Sequence, residues 1–379
     1  MAQYFNLTLD QLAPQNGLIT VAPFYKDNLE TFSMSADEAY FLKVITNTSA
    51  TAQMSDFDDT AWEVYNTSHA AHATDFETEG TNYIHAIFMD EVGNVGPIVT
   101  VSTIYDTSAP TISTVAVTST KSGDPEGHTT QSEVKVRVSV TDTYAGVDYV
   151  TLSGDITESG AAAKFTFTDE DRAAGYKDCT VHLTPITSGK EVSGEMKTIS
   201  AVATDRSGND SDSVSGEIEF DTAGGDITAT LYKTGLKEVL PTYVKELGFA
   251  VRVNTCPNDM VAYEIKDGAV SKKTGTISEG TTTFDVDNLT LENVDGLHTI
   301  TIILTDDAGN KSEIEKTVNV DRVAPEVTTS FSPALVSDKA GYKFRIANCA
   351  KINDVEYSTL ADAIANANPG DTITILGDI

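Results

Sequence analysis

The chain has 379 residues, 40% of them hydrophobic, which is enough for two to four domains with apolar cores. Its formal net charge of −32 repels nucleic-acid phosphates and anionic lipids, so neither a nucleic acid nor a membrane is an expected partner. No stretch approaches the ~20 apolar residues that a membrane span needs. The three cysteines, Cys179, Cys256 and Cys349, fall in different predicted segments, so no disulfide framework within a domain is expected.

Two short motifs alternate along the chain. Asp-x-x-Gly-Asn stands at Asp90–Asn94, Asp205–Asn209 and Asp306–Asn310. Asp-x-x-Ala-Pro follows each copy after 15 or 16 residues and also stands near the start, at Asp10–Pro14, Asp106–Pro110, Asp221–Gly225 (with Gly-Gly for Ala-Pro) and Asp321–Pro325. The second motif recurs after 96, 115 and 100 residues, which is the length of a whole domain. We therefore predict three tandem domains, 1–107, 108–222 and 223–322, and a tail, 323–379.

The residues before each Asp-x-x-Gly-Asn motif predict a β-strand with one buried face. Positions two, four and six before the Asp are apolar in every copy: Ile84, Ala86 and Phe88; Ile199, Ala201 and Ala203; Ile300, Ile302 and Leu304. The opposite face is mixed, with His85, Ser200 and Thr301, so we expect it to be partly solvated. The motif itself predicts a hairpin turn, because Asp bonds its own backbone and Gly and Asn tolerate positive φ.

The clearest strand signal is Val134–Val140, where four valines alternate with Lys135, Arg137 and Ser139. Domain-sized units with several short alternating strands are typical of immunoglobulin-like sandwiches. In the tail, Ser358 or Thr359 is a candidate cap for a short helix with Leu360, Ala363, Ile364 and Ala367 on one face, and Thr372–Leu376 reads as a strand. The predicted fold class is all-β: tandem immunoglobulin-like β-sandwiches with a small α/β C-terminal tail.

The order strand, Asp-x-x-Gly-Asn, strand, Asp-x-x-Ala-Pro resembles the immunoglobulin-like repeats of bacterial surface proteins and of bacteriophage virion proteins, over roughly residues 1–325. The opening Leu7–Pro14 looks more like the phage versions, and residues 357–379 are similar to the first turn of a β-helix domain. The resemblance implies a non-enzymatic virion structural protein of a tail, fibre or capsid-surface decoration, assembled in the host cytoplasm without a signal peptide.

Its implied partners are other virion proteins, a glycan or protein of the host surface, and further copies of the chain joined through the tail. Two alternatives stay open. One is a fragment of a bacterial cell-surface adhesin, and the other is a set of accessory modules of a polysaccharide-active enzyme. No catalytic motif is found, so we expect no enzymatic activity.

The aspartates of the two motifs are candidate metal ligands. In an immunoglobulin-type sandwich, the loop between the last two strands lies at the pole where the chain enters. We therefore expect each linker Asp to meet the following Asp-x-x-Gly-Asn loop: Asp106 and Asp142 with Asp205 and Asn209, Asp221 with Asp306 and Asn310, and Asp10 with Asp90 and Asn94. Carboxylates beside backbone carbonyls suit Ca²⁺. The alternative is that these residues only cap tight turns.

Overall fold

The computed structural model describes residues 9–26, 31–70, 76, 78–324, 350–352 and 354–376. The chain divides into two compact units: Met1–Pro185 with Met196–Phe220, and Ile186–Glu195 with Asp221–Ile379. Strands dominate both units. Within the described residues, α-helix is limited to α1 (Asp169–Ala174) and α2 (Leu360–Asn366). The predicted all-β class is confirmed.

The first sandwich belongs to the first unit. Its strands are β1 (Gln15–Thr20), β2 (Phe24–Tyr25), β3 (Thr31–Asp37), β4 (Phe41–Asn47), β5 (Glu63–Val64), β6 (Ser68–Ala70), β7 (Gly80–Met89) and β8 (Val99–Tyr105). They form a three-stranded sheet, β1-β3-β6, and a five-stranded sheet, β2-β8-β7-β4-β5. Phe32 and Met34 of the smaller sheet pack in one cluster with Leu42, Ile84 and Phe88 of the larger sheet, so the two sheets share a core.

The second sandwich, also in the first unit, repeats this plan. Its strands are β9 (Thr111–Ser119), β10 (His128–Thr129), β11 (Glu133–Thr141), β12 (Val147–Gly154), β13 (Lys164–Thr166), β14 (Tyr176–His182), β15 (Glu195–Asp205) and β16 (Val214–Phe220). The sheets have the orders β14-β11-β9 and β10-β16-β15-β12-β13. The predicted strand Val134–Val140 lies inside β11, and its four valines are at most 2% exposed.

The third sandwich belongs to the second unit. Its strands are β17 (Thr228–Lys233), β18 (Tyr243–Val244), β19 (Gly248–Thr255), β20 (Met260–Asp267), β21 (Val270–Thr276), β22 (Phe284–Thr290), β23 (Gly296–Asp306) and β24 (Lys311–Val320). The sheets are β17-β19-β22 and β18-β24-β23-β20-β21. Ile300, Ile302 and Leu304 of β23 have no exposed surface, which confirms the apolar face predicted for this strand.

A two-residue strand runs parallel to the last strand of each sandwich. Strand β2 pairs with β8, β10 with β16 and β18 with β24. The other strand pairs of the described residues are antiparallel. This short parallel ladder fixes the end of the last strand. In the first and third sandwiches it continues to the linker aspartate: the Asp106 N–H donates to the Tyr25 carbonyl at 2.8 Å, and the Asp321 N–H to the Val244 carbonyl at 3.0 Å.

One prediction about the strand faces is wrong. His85 was expected on a partly solvated face, but its side chain has no exposed surface. Its ring nitrogens contact the Thr100 hydroxyl at 2.8 Å, the Asn47 side-chain oxygen at 3.2 Å and the Ser49 carbonyl at 3.1 Å. The end of β4 and the segment after it cover this face. The alternating pattern of β7 could not predict this, because the covering residues lie elsewhere in the sequence.

The tail, in the second unit, carries a small sheet and one helix. Strands β25 (Ala350–Ile352), β26 (Val355–Tyr357) and β27 (Ile373–Ile375) have the order β26-β25-β27. Thr359 caps helix α2, because its hydroxyl accepts from the Asp362 N–H at 3.0 Å. The predicted helix and strand are confirmed: Ala363 is buried in the small core, and Leu360 packs against it.

Candidate metal sites at the repeated aspartate motifs

The Asp-x-x-Gly-Asn motif closes the turn after the penultimate strand in the same way three times. The Asp N–H donates to the Asn carbonyl at 3.1 Å in each copy, and the Asp carboxylate accepts the Asn N–H at 2.7 to 2.9 Å. The intervening glycines have φ of 98°, 88° and 90°, which residues with a Cβ rarely adopt. The predicted hairpin turn is confirmed.

The linker aspartates are equally uniform. Each carboxylate accepts the N–H of the residue two positions later, at 3.0 to 3.1 Å, and so forms an Asx-turn. The four pairs are Asp10 with Leu12, Asp106 with Ser108, Asp221 with Ala223 and Asp321 with Val323. The Asx-turn therefore fixes the local backbone direction at each of these aspartates.

Linker and loop meet through the motif asparagine. The Asn209 side-chain amide donates to the Asp106 carbonyl at 2.9 Å, and that of Asn310 donates to the Asp221 carbonyl at 3.3 Å. Asn94 donates to the Asp10 carbonyl at 3.3 Å in the first copy. All three predicted encounters are therefore present. In each of them the asparagine side chain is a hydrogen-bond donor to the linker backbone.

In the first unit, three carboxylates converge. Asp106, Asp142 and Asp205 each offer an oxygen, and these oxygens lie within 4.8 Å of one another. Asp106 is fully buried and Asp205 is 2% exposed. Burial raises the pKa of Asp106 and of Asp142, and the neighbouring carboxylates add to both shifts. The Oδ2 atom of Asp142 is buried without a hydrogen-bond partner.

Two cations stand beside this cluster and bind carbonyl groups. The Arg206 Nε donates to the Ala145 carbonyl at 2.5 Å, and its guanidinium lies 4.4 Å from the centre of the Phe24 ring. The Lys26 ammonium donates to the Gly208 carbonyl at 2.5 Å. Sequence analysis did not anticipate these two residues, because a lone Lys or Arg in a loop carries no pattern.

In the second unit, Asp221, Asp306 and Asp307 offer oxygens within 4.8 Å of one another. Asp221 is 1% exposed and Asp306 is 2% exposed, yet the Oδ2 atoms of both are buried without a partner. Burial, then repulsion from Asp306, Asp259 and Asp307, raises the pKa of Asp221 to about 6. Burial likewise raises the pKa of Asp306, and the side-chain and backbone N–H groups of Asn310 offset only part of that rise.

Asp259 and Asp307 were not predicted. Asp307 has a signal in the sequence, because it directly follows the motif Asp306. Asp259 has none, since it lies four residues after the end of β19, whereas Asp142 directly follows β11. The Asp307 N–H donates to the Asp259 carbonyl at 3.2 Å, which holds the two loops together.

The first copy is different. The Oδ1 atom of Asp90 accepts the N–H groups of Val92 and Asn94, at 3.0 and 2.8 Å, and its Oδ2 accepts the Asn94 side-chain amide at 2.7 Å. Burial pushes the pKa of Asp90 upward, but the hydrogen bonds from Asn94 and the backbone outweigh burial and lower it. Among the described residues, no group of three ligating side chains includes Asp90.

The residues of the two clusters fit a hard divalent cation. Such an ion takes six to eight oxygen ligands, and carboxylate and carbonyl oxygens supply them. Buried carboxylate oxygens without donors are costly unless a proton or a cation compensates them. Asp106, Asp142 and Asp205 would hold the ion in the first unit, and Asp221, Asp306 and Asp307 in the second.

No family model matches the sequence, and no curated protein matches it. Among solved structures, a bacterial ice-binding adhesin aligns with 77% of this chain and 90% of its own, at 15% identity and a TM-score of 0.32. A Ca²⁺-stabilised adhesin that helps an Antarctic bacterium bind ice aligns over 82% and 76%, at 15% identity and a TM-score of 0.31. Fibronectin(III)-like modules of Clostridium thermocellum CbhA align over 59% and 100%, at 15% identity and a TM-score of 0.28. No helix of the described residues is long and apolar enough to cross a membrane.

Proposed function

We propose that this chain is a non-enzymatic spacer of a bacterial cell-surface adhesin, in which calcium stabilises the linkers between sandwiches. The observation that carries the proposal is the recurring contact of the motif asparagine with the linker aspartate, beside buried carboxylates that lack donors. A catalytic carboxylate has to reach a substrate. Asp106, Asp221 and Asp306 are instead buried at the ends of strands.

Calcium would supply positive charge to the Oδ2 atoms of Asp221 and Asp306, which are buried without a hydrogen-bond partner. The protein's own part is to hold the carboxylates in place before the ion arrives. The Asx-turn fixes Asp221, and the Asp-x-x-Gly-Asn turn fixes Asp306. Because Asp221 belongs to the linker and Asp306 to a sandwich loop, one ion between them would tie the linker to the sandwich.

An extracellular setting agrees with this chemistry. Calcium sites of extracellular modules work with dissociation constants around 10⁻⁴ to 10⁻³ M, which only a calcium-rich exterior can fill. The resemblance of the repeats to those of bacterial surface proteins supports the same setting. A high acidic charge also keeps an exposed spacer soluble.

A bacteriophage virion component is the second candidate, because the opening Leu7–Pro14 resembles phage repeats. Its residues 7 and 8 lie outside the described part of the chain. On this proposal the partners would be other virion proteins and a glycan or protein of the host surface, with copies joined through the tail.

Immunogold electron microscopy with an antibody against the purified chain separates the two candidates. Gold on the envelope of intact cells supports the adhesin, and gold on purified phage particles supports the virion component. Label confined to the cytosol, with neither envelope nor particles stained, contradicts both.

Calcium binding is tested by thermal unfolding of the chelator-treated chain with and without millimolar calcium. We expect calcium to raise the melting temperature, and Asp306→Asn to remove most of that rise. Glu315→Gln, at an exposed position of β24, removes an equal charge away from the cluster and should leave the rise unchanged. A wild-type melting temperature that calcium does not move would refute the calcium part of the proposal.

A further inference from the structure

The three copies of the linker contact satisfy their carboxylates to different degrees. In the first copy, both oxygens of Asp90 accept hydrogen bonds, and the Asn94 side chain supplies the donor to Oδ2. Both oxygens of that carboxylate therefore have hydrogen-bond donors without an ion. A cation placed there would have to displace existing donors to gain a ligand.

In the second copy, nearly every carboxylate oxygen has a hydrogen-bond donor. Asp106 accepts the N–H groups of Ser108 and Ala145, at 3.0 and 2.8 Å, one on each oxygen. Asp205 accepts both the backbone N–H and the side-chain amide of Asn209. Asp142 accepts the Gly146 N–H, so its Oδ2 is the one oxygen of these three carboxylates that is buried without a partner.

In the third copy, more carboxylate oxygens lack a hydrogen-bond donor than in the other two. Asn310 donates its backbone N–H to Asp306 Oδ1 at 2.7 Å, but Asp306 Oδ2 has no hydrogen-bond partner. Asn94 and Asn209 donate both to the linker carbonyl and to this carboxylate oxygen, whereas the Asn310 amide donates to the Asp221 carbonyl at 3.3 Å and approaches Asp306 only closely enough to lower its pKa. Asp221 Oδ2 lacks a partner too, and both residues are at least 98% buried.

A positively charged side chain lies beside the second copy. Beside the second copy, the Arg206 guanidinium binds the carbonyl of Ala145, the residue whose N–H donates to Asp106. Carboxylates repel one another in both clusters: Asp205 repels the charges on Asp106 and Asp142, and Asp306, Asp259 and Asp307 repel the charge on Asp221. Uncompensated negative charge in a buried site raises the free energy of the ion-free state, and a divalent cation recovers that energy on binding.

We infer that the copies form a graded series of cation sites. The third copy, Asp221 with Asp306 and Asp307, binds calcium most tightly; the second, Asp106 with Asp142 and Asp205, binds it more weakly; and the first joins linker to loop without metal. This inference rests on the proposed calcium function and adds an order of filling. As calcium rises, the linker at Asp221 is stabilised before the linker at Asp106.

The test is isothermal titration of calcium into the full chain after chelator treatment. We expect two classes of site, separated by at least about tenfold in dissociation constant. Asp306→Asn should abolish the tighter class, Asp205→Asn should abolish the weaker class, and Asp90→Asn should change neither.

Because Asp306 and Asp205 also form turns, a second pair of variants keeps the test decisive. Asp307→Asn and Asp142→Asn leave the turn hydrogen bonds of Asp306 and Asp205 in place, and should weaken the same two classes respectively. Circular dichroism of each variant confirms folding. If the Asp142 and Asp205 variants remove the tighter class, the order is wrong although calcium still binds. If the wild-type chain gives no heat, calcium binding and the series fall together.

Discussion

The side-chain amide of Asn209 bridges the carbonyl oxygen of Asp106, at 2.9 Å, and the carboxylate of Asp205, at 2.8 Å. These two partners are 99 residues apart in sequence, since one belongs to a linker and the other to the loop of the sandwich that the linker enters. One amide group therefore joins both parts of the contact.

Replacing this amide tests how much the bridge contributes. Asn209→Ala removes both hydrogen bonds and leaves Asp205 Oδ2 short of a donor in a buried site, so we expect a loss of about 1–3 kcal/mol in the free energy of unfolding. Calorimetric unfolding measures it. Asn254→Ala, which removes an exposed side-chain hydrogen bond to Thr230, is the control and should cost under about 0.5 kcal/mol. Equal losses in both variants would contradict a structural role for the bridge.

Gly225 stands where the other copies of this motif have proline, and its surroundings leave no room for a side chain. Its φ is +74°, and a Cβ there would lie 2.4 Å from Val192 Cγ1 and 3.0 Å from Pro257 Cγ. We expect Gly225→Ala to destabilise the second unit by more than about 1 kcal/mol, since strain and overlap add.

Two variants separate strain from overlap at this position. Gly235→Ala meets no atom within 4 Å at φ +87°, so it measures the backbone strain alone. Val192→Ala removes the Cγ1 atom, and in combination with Gly225→Ala it should recover part of the loss. The melting temperature is measured for the wild type, the two single glycine variants and the double variant. A double variant no more stable than Gly225→Ala would show that Val192 does not cause the overlap.

The raised pKa of Asp221 predicts an unusual pH dependence in the absence of calcium. Its folded pKa of about 6 lies above the ordinary value of 3.8, so the folded state binds more protons between these two values. This carboxyl therefore destabilises the fold fully above pH 6, and the penalty disappears as the pH falls towards 4. We expect the melting temperature to rise between pH 7 and pH 5 in chelator, and Asp221→Asn to reduce that rise. A wild-type slope identical to that of the variant would exclude Asp221 as its source.

The buried face of β23 predicts a large cost for cavity formation. Ile302→Ala, at a side chain with no exposed surface, should destabilise the third sandwich by about 2–5 kcal/mol. Leu297→Ala on the same strand removes a side chain that is 71% exposed, and should have little effect. Denaturant unfolding compares the two. Similar losses would mean that the face of β23 is not the core.

Patterns among neighbouring residues correctly predicted the strands and turns, because those features depend mainly on neighbouring residues. Alternation located β7, β11, β15 and β23, because a half-buried strand has a period of two. The motif Asp, Gly and Asn located the turns, and sandwich topology placed Asp106 beside Asn209 and Asp221 beside Asn310.

Other features depend on partners distant in sequence. Strands β2, β10 and β18 have two residues each, too few for a pattern. His85 is buried by a segment that its own strand does not specify. Asp259 lies beside the cluster of Asp221, Asp306 and Asp307 only because the loops fold together, so its position in the sequence did not single it out.

The last strand of each sandwich has a neighbour on both sides, and this pairing affects how the sandwich resists a pulling force. Strand β24 is held by β23 along its whole length and by β18 at the end from which Asp321 continues. Ladder hydrogen bonds run across the strands, so a pull along β24 strains many of them at the same moment instead of opening them one after another. Stretching single molecules should therefore give one abrupt rupture for this sandwich at high force, and a gradual, stepwise extension at low force would show that the ladder peels.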